Sequence, residues 1–158
     1  MDSTVEFSRA DALAHRIVSM VWNLEVSLEA ALYRINNPIL AQALAEAAGR
    51  GVQLRLVLDG GKFQSDPVTR NLLEIHRLPF RLLHGRSGPG SKMHHKFAIL
   101  DSRSVITGSY NWTMESEEEN YENLLVLREL TLVEQFREEF EALWNAAEGN
   151  AGRPLPPR

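Results

Sequence analysis

Apolar residues recur along this chain with two periods, one typical of helices and one typical of strands. A strand is predicted at Thr4–Phe7, and a helix is predicted from about Arg9. Ser8 is expected to cap this helix, with Asp11 in the second position of a capping box. The apolar stripe of the helix has the spacing of a buried face: Leu13, Ile17, Met20, Val21 and Leu24.

Six further strands are predicted where short apolar runs are bounded by turn residues. They are 25–35, 52–59, 80–84, 94–100, 104–108 and 121–128. Three further helices are predicted, from Pro38 to Gly49 or Gly51, from 66 to about 76, and at Leu130–Ala146. Asn37 is the expected cap of the first of these helices. Residues 84–93 contain three glycines and a proline, which indicates a loop.

Helices alternate with strands in the first half of the chain, and strands follow one another in the second half. This order predicts an α/β fold, in which a mixed β-sheet is flanked by helices in a single domain. The domain is expected to span residues 1–148. Residues 149–158, GNAGRPLPPR, are predicted to form a flexible tail or linker because they are rich in proline and glycine.

Composition narrows the classes of function. The 158 residues contain no cysteine, which excludes a disulfide framework and a zinc site built on thiolates. No apolar run reaches the length of about 18 residues that a membrane span needs. The N-terminal residues, MDSTVEFSRAD, lack the basic start and apolar stretch of a signal peptide. We therefore expect a soluble chain, cytoplasmic unless a signal segment has been removed.

Charge is distributed unevenly around a net value of −4. Residues 61–103 carry eight Lys or Arg against three Asp or Glu, whereas residues 115–148 carry two Arg against eleven Glu. The basic excess suits a substrate that bears phosphate. Two differently charged solvated faces explain the same distribution without any ligand.

Two histidines and a lysine open the otherwise apolar segment 94–100, HHKFAIL. In a strand, His94 and Lys96 share one face with the following alternate residues, while His95 points to the other face. The pattern continues as His94-x-Lys96-x4-Asp101-x6-Gly108-Ser109-x-Asn111. Six fixed positions of about 5% frequency each, over about 140 starting points, match by chance about two times in a million.

This pattern resembles the HKD motif of the phospholipase D superfamily. The segments MHHKFAILD, TGSYNWT and NYENLLVL, together with the strand, helix and strand upstream, are similar to its small single-motif members. These are the Nuc-type endonucleases and the mitochondrial cardiolipin hydrolase (Zucchini) branch. The likeness covers roughly residues 4–144 and implies a phospholipase D-like α/β sandwich with phosphodiesterase activity.

The resemblance implies roles for individual residues. His94 corresponds to the nucleophile, Lys96 and Asn111 to phosphate-binding groups, Ser109 to a hydrogen-bonding neighbour, and Glu122 to the carboxylate that orients the histidine. Two imidazoles, one as nucleophile and one as acid, suit phosphodiester hydrolysis without a metal or cofactor.

Asp101 and Gly108 correspond to structural positions of the motif. Asp101 is expected to tie the turn between two strands together, and Gly108 is expected to allow close backbone packing beside the phosphate.

The chain carries one motif, whereas many members of the superfamily carry two. The resemblance therefore implies a homodimer with one active site across a twofold axis, to which each subunit contributes His94. The implied substrate is nucleic acid, DNA or RNA, and the alternative is an anionic phospholipid such as cardiolipin.

Other interpretations of these residues remain open at this point. His95 fits a structural role, and a metal site of His94, His95 and nearby glutamates is disfavoured because Lys96 would repel a cation. Glu115 or a residue of 117–119 is an alternative to Glu122, although these glutamates also fit a solvated acidic face. Trp112 fits either the core or a stacking contact with a base.

Two alternatives concern binding. Gly60-Gly61-Lys62 lacks the spacing of a phosphate loop and indicates a turn, from which Lys62 could contact substrate. A non-catalytic binding module with the same fold is a further alternative function, disfavoured because every expected catalytic residue is present.

Overall fold

Eight strands form one mixed sheet in the computed structural model, which describes residues 1–147. They are β1 (Thr4–Phe7), β2 (Ser27–Leu32), β3 (Gln53–Asp59), β4 (Arg81–Gly85), β5 (Gly88–Lys92), β6 (Lys96–Leu100), β7 (Ser104–Gly108) and β8 (Asn123–Leu127). Their order across the sheet is β1-β8-β7-β6-β2-β3-β4-β5. The pairs β2–β3 and β3–β4 are parallel, and the others are antiparallel.

Six helices accompany the strands within the same described residues. They are α1 (Leu13–Trp22), α2 (Pro38–Gly49), α3 (Gly60–Ser65), α4 (Pro67–Ile75), α5 (Met114–Glu118) and α6 (Leu130–Ala146). One face of the sheet packs in a large apolar core with α1, α2 and α4. The other face packs against α6, where Phe140 and Trp144 meet Phe97 and Ile99 of β6. Burial of both faces explains why the central strands are almost continuously apolar.

The strand directions bring several chain segments to one edge of the sheet. Because β6 is antiparallel to β2 and β7, the start of β6 lies beside the ends of β2 and β7. The start of β8 joins the same edge because β8 is antiparallel to β7. The end of β3 lies there as well, since β3 runs parallel to β2. Residues that follow or precede these strand ends are therefore neighbours in space.

The predicted fold class is confirmed, as are several element bounds. The first strand and the closing helix occupy Thr4–Phe7 and Leu130–Ala146, as predicted. Asn37 caps α2 by accepting a hydrogen bond from the backbone N–H of Ile39, and Pro38 occupies the first turn.

The predicted start of the first helix is wrong. The helix begins at Leu13 and its N-cap is Ala12, which has no capping side chain. Residues 7–11 form a turn in which the N–H groups of Ala10 and Asp11 both donate to the carbonyl of Phe7. The hydroxyl of Ser8 is engaged elsewhere, because it donates to the carbonyl of Asn120 and accepts from the N–H of Glu122.

The predicted loop at 84–93 contains β5, which pairs with β4 as a hairpin. Gly88 and Gly90 have φ values of +79° and +93°, which glycine adopts without strain. The glycines that indicated an irregular loop thus make the turn and its neighbouring strand.

Two short helices were not predicted. Residues 60–61, expected to be a turn, begin α3, where the carboxylate of Asp59 caps the helix at the N–H of Lys62. The acidic segment at 114–118 forms α5, which Thr113 caps at the N–H of Ser116. The predicted tail at 149–158 lies outside the described residues.

Candidate active site

The two histidines of the motif lie immediately before a strand rather than within it. Strand β6 begins at Lys96, so the predicted strand start at 94 is two residues early. The segment is still fixed, because the N–H of Tyr33 donates to the carbonyl of His95 over 2.8 Å. The imidazole of His94 is exposed and lies beside the Tyr33 ring, with 4.5 Å between the ring centroids.

Lys96 is the polar neighbour of His94. Its Nζ lies 3.2 Å from Nδ1 of His94 and donates to the carbonyl oxygen of the same residue over 2.8 Å. An ammonium group has hydrogens to donate and no lone pair to accept with. Nδ1 is therefore the accepting nitrogen, and the neutral imidazole carries its proton on Nε2 in this arrangement.

Burial lowers the pKa of both groups, and positive charge lowers that of His94 further. The pKa of His94 is lowered from its usual value, first by burial and then by the positive charges of Lys96 and Lys92. The pKa of Lys96 is also lowered by burial, against which the negative charge of Glu122 acts. A lowered pKa favours the neutral form of an imidazole, which is the form that can act as a nucleophile.

Glu122 and two serines form a second polar group at this edge. Oε1 of Glu122 accepts from the hydroxyl of Ser109 over 3.2 Å, and Oε2 accepts from the hydroxyl of Ser116 over 2.6 Å. Ser109 also accepts from the N–H of Asn123 over 3.0 Å, at the start of β8. The two serine hydroxyls thus fix the position of the Glu122 carboxylate. His94 is not among the hydrogen-bond partners of this carboxylate.

Asn111 lies between these groups and the core. Its N–H donates to the Ser116 hydroxyl over 3.2 Å, so Ser116 joins Asn111 to Glu122. Its side-chain Oδ1 is buried without a hydrogen-bond partner among the described residues. Buried polar atoms normally have partners, and unpaired ones occur at functional sites. The next residue, Trp112, is 1% exposed and belongs to the core, which leaves no face of its ring for stacking on a base.

Asp101 lies at the other end of β6 and has a structural environment. Its carboxylate accepts hydrogen bonds from the N–H groups of Val26, Ser27 and Glu25 at 2.8, 3.0 and 3.1 Å. These bonds attach the turn between β6 and β7 to the start of β2.

Gly108 permits a close approach of two strands at the site. It has a φ of +144°, and a Cβ at this position would overlap the backbone oxygen of Asn123. The end of β7 can lie this close to β8 because residue 108 has no side chain.

Two of the glutamates considered as alternatives to Glu122, at positions 115 and 117, contact other groups. Glu115 pairs with Arg34 at 3.7 Å. Glu117 accepts from the hydroxyl of Tyr110 over 2.8 Å and from the N–H of Ala14 over 2.9 Å, which attaches α5 to α1. Burial and the bond to Glu117 raise the pKa of Tyr110 far above its usual value.

Asp59 is a site-organising residue that the sequence reasoning did not single out. It is 2% exposed, and its two oxygens accept from the N–H groups of Lys62 and Met93, each over 2.9 Å. Met93 directly precedes His94, so Asp59 fixes the backbone that leads into the motif. The available signal was an aspartate at the end of a parallel strand, where sites of α/β folds commonly lie.

His95 points away from His94, as the alternation predicts. Its Nε2 lies 3.2 Å from a carboxylate oxygen of Glu139 on α6, and its ring packs edge-on against Phe97. Among residues 1–147, no group of three His, Cys, Asp or Glu side chains is arranged to hold a metal ion. In the same part of the chain, no helix has the length and apolar character to cross a membrane.

Comparison with known proteins assigns the family. The sequence profile described as "Cardiolipin synthase, PLD-like domain" matches residues 22–144. This chain belongs to that family. The matched segment begins at the last residue of α1 and ends within the last turn of α6. It contains every site residue of this phospholipase D-like chain described above.

Relatives of this phospholipase D-like chain include proteins named mitochondrial cardiolipin hydrolase. The one from Homo sapiens is 34% identical over 143 residues, which are 90% of this chain and 55% of that protein. The one from Xenopus tropicalis is 31% identical over 134 residues, 85% of this chain and 62% of that protein. The chain thus spans less than two thirds of the length of these relatives.

Solved structures share the phospholipase D-like fold over nearly the whole chain. Nuc from Salmonella typhimurium, a phospholipase D family member, has a TM-score of 0.84 at 24% identity and covers 95% of this chain and 98% of its own. NucT from Helicobacter pylori has a TM-score of 0.81 at 22% identity, with 94% and 100% covered. At these identities the likeness establishes the fold.

Proposed function

We propose that this chain is a metal-independent phosphodiesterase, an endonuclease that cleaves nucleic acid through a phosphohistidine at His94. The observation that supports the proposal is the position of three residues at one edge of the sheet: His94 and Lys96 lie at the start of β6, and Asn111 follows the end of the neighbouring strand β7. A neutral imidazole, an ammonium group and a side-chain amide together supply a nucleophile and two donors for the nonbridging oxygens of a phosphate. No metal ion is required for this chemistry.

Substrate binding prepares the nucleophile in the proposed mechanism. A phosphate bound by Lys96 takes over the ammonium hydrogens that otherwise face Nδ1 of His94. The imidazole proton then moves to Nδ1, and Nε2 gains the lone pair that attacks. Glu122, the carboxylate at this edge, accepts the Nδ1–H hydrogen bond when the ring turns toward it.

The reaction proceeds in two balanced steps. The P–N bond to His94 forms as the P–O bond to the leaving group breaks, and a second imidazole donates a proton to the leaving oxygen. The second imidazole then removes a proton from water, and the hydroxide breaks the P–N bond. Phosphate monoester and free His94 result, and the second imidazole ends protonated as it began.

We further propose that the second imidazole is His94 of the partner subunit in a homodimer. The chain contains one copy of the motif, and the adjacent His95 points away from His94 and pairs with Glu139. A twofold axis beside the exposed His94 supplies the second group with the commonest symmetry of oligomers.

Hydrolysis of an anionic phospholipid is the second candidate function. The observation that favours it is the name of the relatives, mitochondrial cardiolipin hydrolase, at 31% and 34% identity. The same catalytic groups serve either substrate, because the scissile bond is a phosphodiester in both cases.

The test is cleavage in the presence of EDTA, with single-stranded DNA, RNA and cardiolipin vesicles as substrates. We expect the wild type to cleave nucleic acid and His94→Asn to lose at least about a thousandfold in rate. His95→Asn is the matched control, because it removes the neighbouring imidazole on the opposite face and retains the nucleophile. Turnover of cardiolipin alone would replace the nuclease by the lipid hydrolase, and loss of wild-type activity in EDTA would refute the metal-independent mechanism.

A further inference from the structure

The lysines of this chain are gathered at one place. The sequence contains three lysines and fourteen arginines. All three lysines surround the ring of Tyr33, with Nζ of Lys96, Lys62 and Lys92 at 5.3, 5.7 and 5.8 Å from the ring centroid. They come from three separate segments, α3, the end of β5 and the start of β6.

Four of the arginines form ion pairs within the described residues, whereas none of the three lysines does. The ion pairs within residues 1–147 involve Arg16, Arg34, Arg55, Arg137 and His95, and none involves a lysine. Each ammonium group lies 5.3–5.8 Å from the same ring centroid. The Debye length is about 8 Å at physiological salt, so charges gathered this closely around one ring repel one another. Each cation–π contact with the ring stabilises the arrangement by only about 0.5–1 kcal/mol at an exposed site.

One buried carboxylate fixes the backbone at Lys62 and directly after Lys92, the two lysines that the motif does not include. Asp59 accepts the N–H of Lys62 with one oxygen and the N–H of Met93, next to Lys92, with the other. It is 2% exposed, so it fixes the two backbones while its charge is kept from solvent. The lysine side chains therefore project from a rigid base, which is how a binding site is built.

We propose that Lys62, Lys92 and Tyr33 form a second anion subsite, which binds the phosphate next to the scissile one in a nucleic-acid strand. This inference rests on the proposed function, since it places the scissile phosphate at His94, Lys96 and Asn111. A flanking phosphate neutralises the repulsion among the lysines. Lysine suits this task because it approaches a passing phosphate as a mobile point charge, with no fixed geometry to match.

The subsite gives the enzyme a preference for substrates with at least two phosphates. A strand that crosses the edge of the sheet contacts both subsites, whereas an isolated phosphodiester contacts only the first. Each lysine contact adds to the dependence of binding on salt, with a slope of about 0.7 per neutralised phosphate charge for single strands.

The experiment compares two substrates with the double variant Lys62→Gln/Lys92→Gln. The substrates are bis(p-nitrophenyl) phosphate, which has one phosphodiester, and single-stranded decanucleotides of thymidine or uridine. We expect kcat/KM for the decanucleotide to fall by about a hundredfold, about tenfold per lysine. This loss exceeds the loss on bis(p-nitrophenyl) phosphate by at least tenfold, and the salt slope of KM decreases.

Arg103→Gln is the matched control, because Arg103 is an exposed cation at the turn between β6 and β7, the opposite end of the sheet. Circular dichroism and the thermal midpoint verify that each variant is folded. Equal losses on the two substrates would overturn the subsite, because the lysines would then serve the scissile phosphate. Unchanged kinetics on the decanucleotide would overturn it as well.

Binding separates this inference from the proposed function. Fluorescence anisotropy of a labelled decanucleotide is measured in the His94→Asn background, where no cleavage is needed. A weaker affinity of the triple variant, with a smaller salt slope, supports the subsite even where no substrate is cleaved. If the lysine substitutions weaken binding to cardiolipin vesicles but not to the decanucleotide, the flanking phosphate belongs to a lipid. That result would overturn the nucleic-acid assignment.

Discussion

Nζ of Lys96 lies 3.2 Å from Nδ1 of His94, so the residue proposed to bind phosphate also holds the proposed nucleophile. In this position the ammonium occupies the nitrogen that must carry a proton before Nε2 can attack. In the proposed mechanism this contact couples binding of the phosphate to activation of the imidazole, because one ammonium group cannot serve both partners fully.

Lys92 contributes to the titration of His94. The pKa of His94 lies below its usual value because of burial first, and because of the charges of Lys96 and Lys92 next. We expect Lys92→Gln to raise this pKa, since one like charge is removed. An NMR titration of the imidazole Cε1–H resonance measures it, with Arg103→Gln as the control. A pKa that stays the same or falls would contradict the stated cause.

The same depressed pKa has a consequence for stability. In the unfolded chain His94 has its usual pKa of about 6.5. Between that pH and the lower pKa of the folded chain, the unfolded chain binds a proton that the folded chain does not. The titration of His94 therefore does not change the free energy of unfolding above about pH 6.5. It lowers that free energy as the pH falls from about 6.5 to the pKa of His94 in the folded chain. His94→Asn is expected to reduce the loss of stability in this window, as urea denaturation at successive pH values measures.

Ser116 is predicted to position Glu122 and Asn111. Ser116→Ala removes a 2.6 Å hydrogen bond to the carboxylate and leaves the N–H of Asn111 without its acceptor. We expect kcat to fall by about tenfold, because one hydrogen bond to a charged group contributes about 1.5–3 kcal/mol. KM should change less than kcat. Ser19→Ala, an exposed change on α1, is the control, and Ser116→Thr should restore part of the rate.

Gly108 is predicted to tolerate no side chain. Gly108→Ala places a methyl group against the backbone of Asn123 at a φ of +144°. We expect a loss of about 1–3 kcal/mol in the free energy of unfolding. Gly49→Ala is the control, because nothing lies within 4 Å of a Cβ at that helix position. Similar stability of the two variants in urea would disprove this account.

Asp101 is predicted to support stability rather than chemistry. Burial alone would raise its pKa, but hydrogen bonds from the N–H groups of Ser27, Val26 and Glu25 outweigh burial and lower it. Its contribution is present above the unfolded pKa of about 3.9 and is lost as pH falls through the folded pKa. Asp101→Asn should destabilise the fold by about 1–3 kcal/mol at neutral pH. A loss of kcat in folded enzyme would contradict the structural role.

The shared site is tested with mixed subunits. Wild type and His94→Asn are refolded together in equal amounts, so that subunits pair at random. If both histidines of a twofold dimer are required, activity falls to about a quarter of the pure wild type. A value of about one half would indicate that each chain acts alone. Sedimentation velocity of each pure protein measures the oligomeric state directly.

The sequence predicted the fold class because its helices and strands have clear apolar periods. It also predicted that His94 and His95 point to opposite faces, which the contacts of His95 with Glu139 agree with. The start of α1 could not be predicted, because the hydroxyl of Ser8 has long-range partners at 120 and 122. A local capping pattern does not reveal such partners.

The supporting groups of the site were harder to predict than the motif. Ser116 lies among glutamates, so its segment is typical of a solvated surface, and only the return of the chain to Glu122 gives the serine its role. Tyr33 and Lys92 are 59 positions apart in the sequence (92 − 33). They meet because the sheet order places β2 between β6 and β3, which no local pattern encodes.

Because all three lysines lie around Tyr33, a reagent that modifies lysine side chains acts at this one place on the chain. An acylating group, whether a reagent or an acetyl donor, has side-chain amines to modify only at Lys62, Lys92 and Lys96. Modification would cancel the positive charge of this edge while the arginine ion pairs that stabilise the fold remain intact. Acylation of this one small patch is therefore a means to switch the site off in a protein that stays folded.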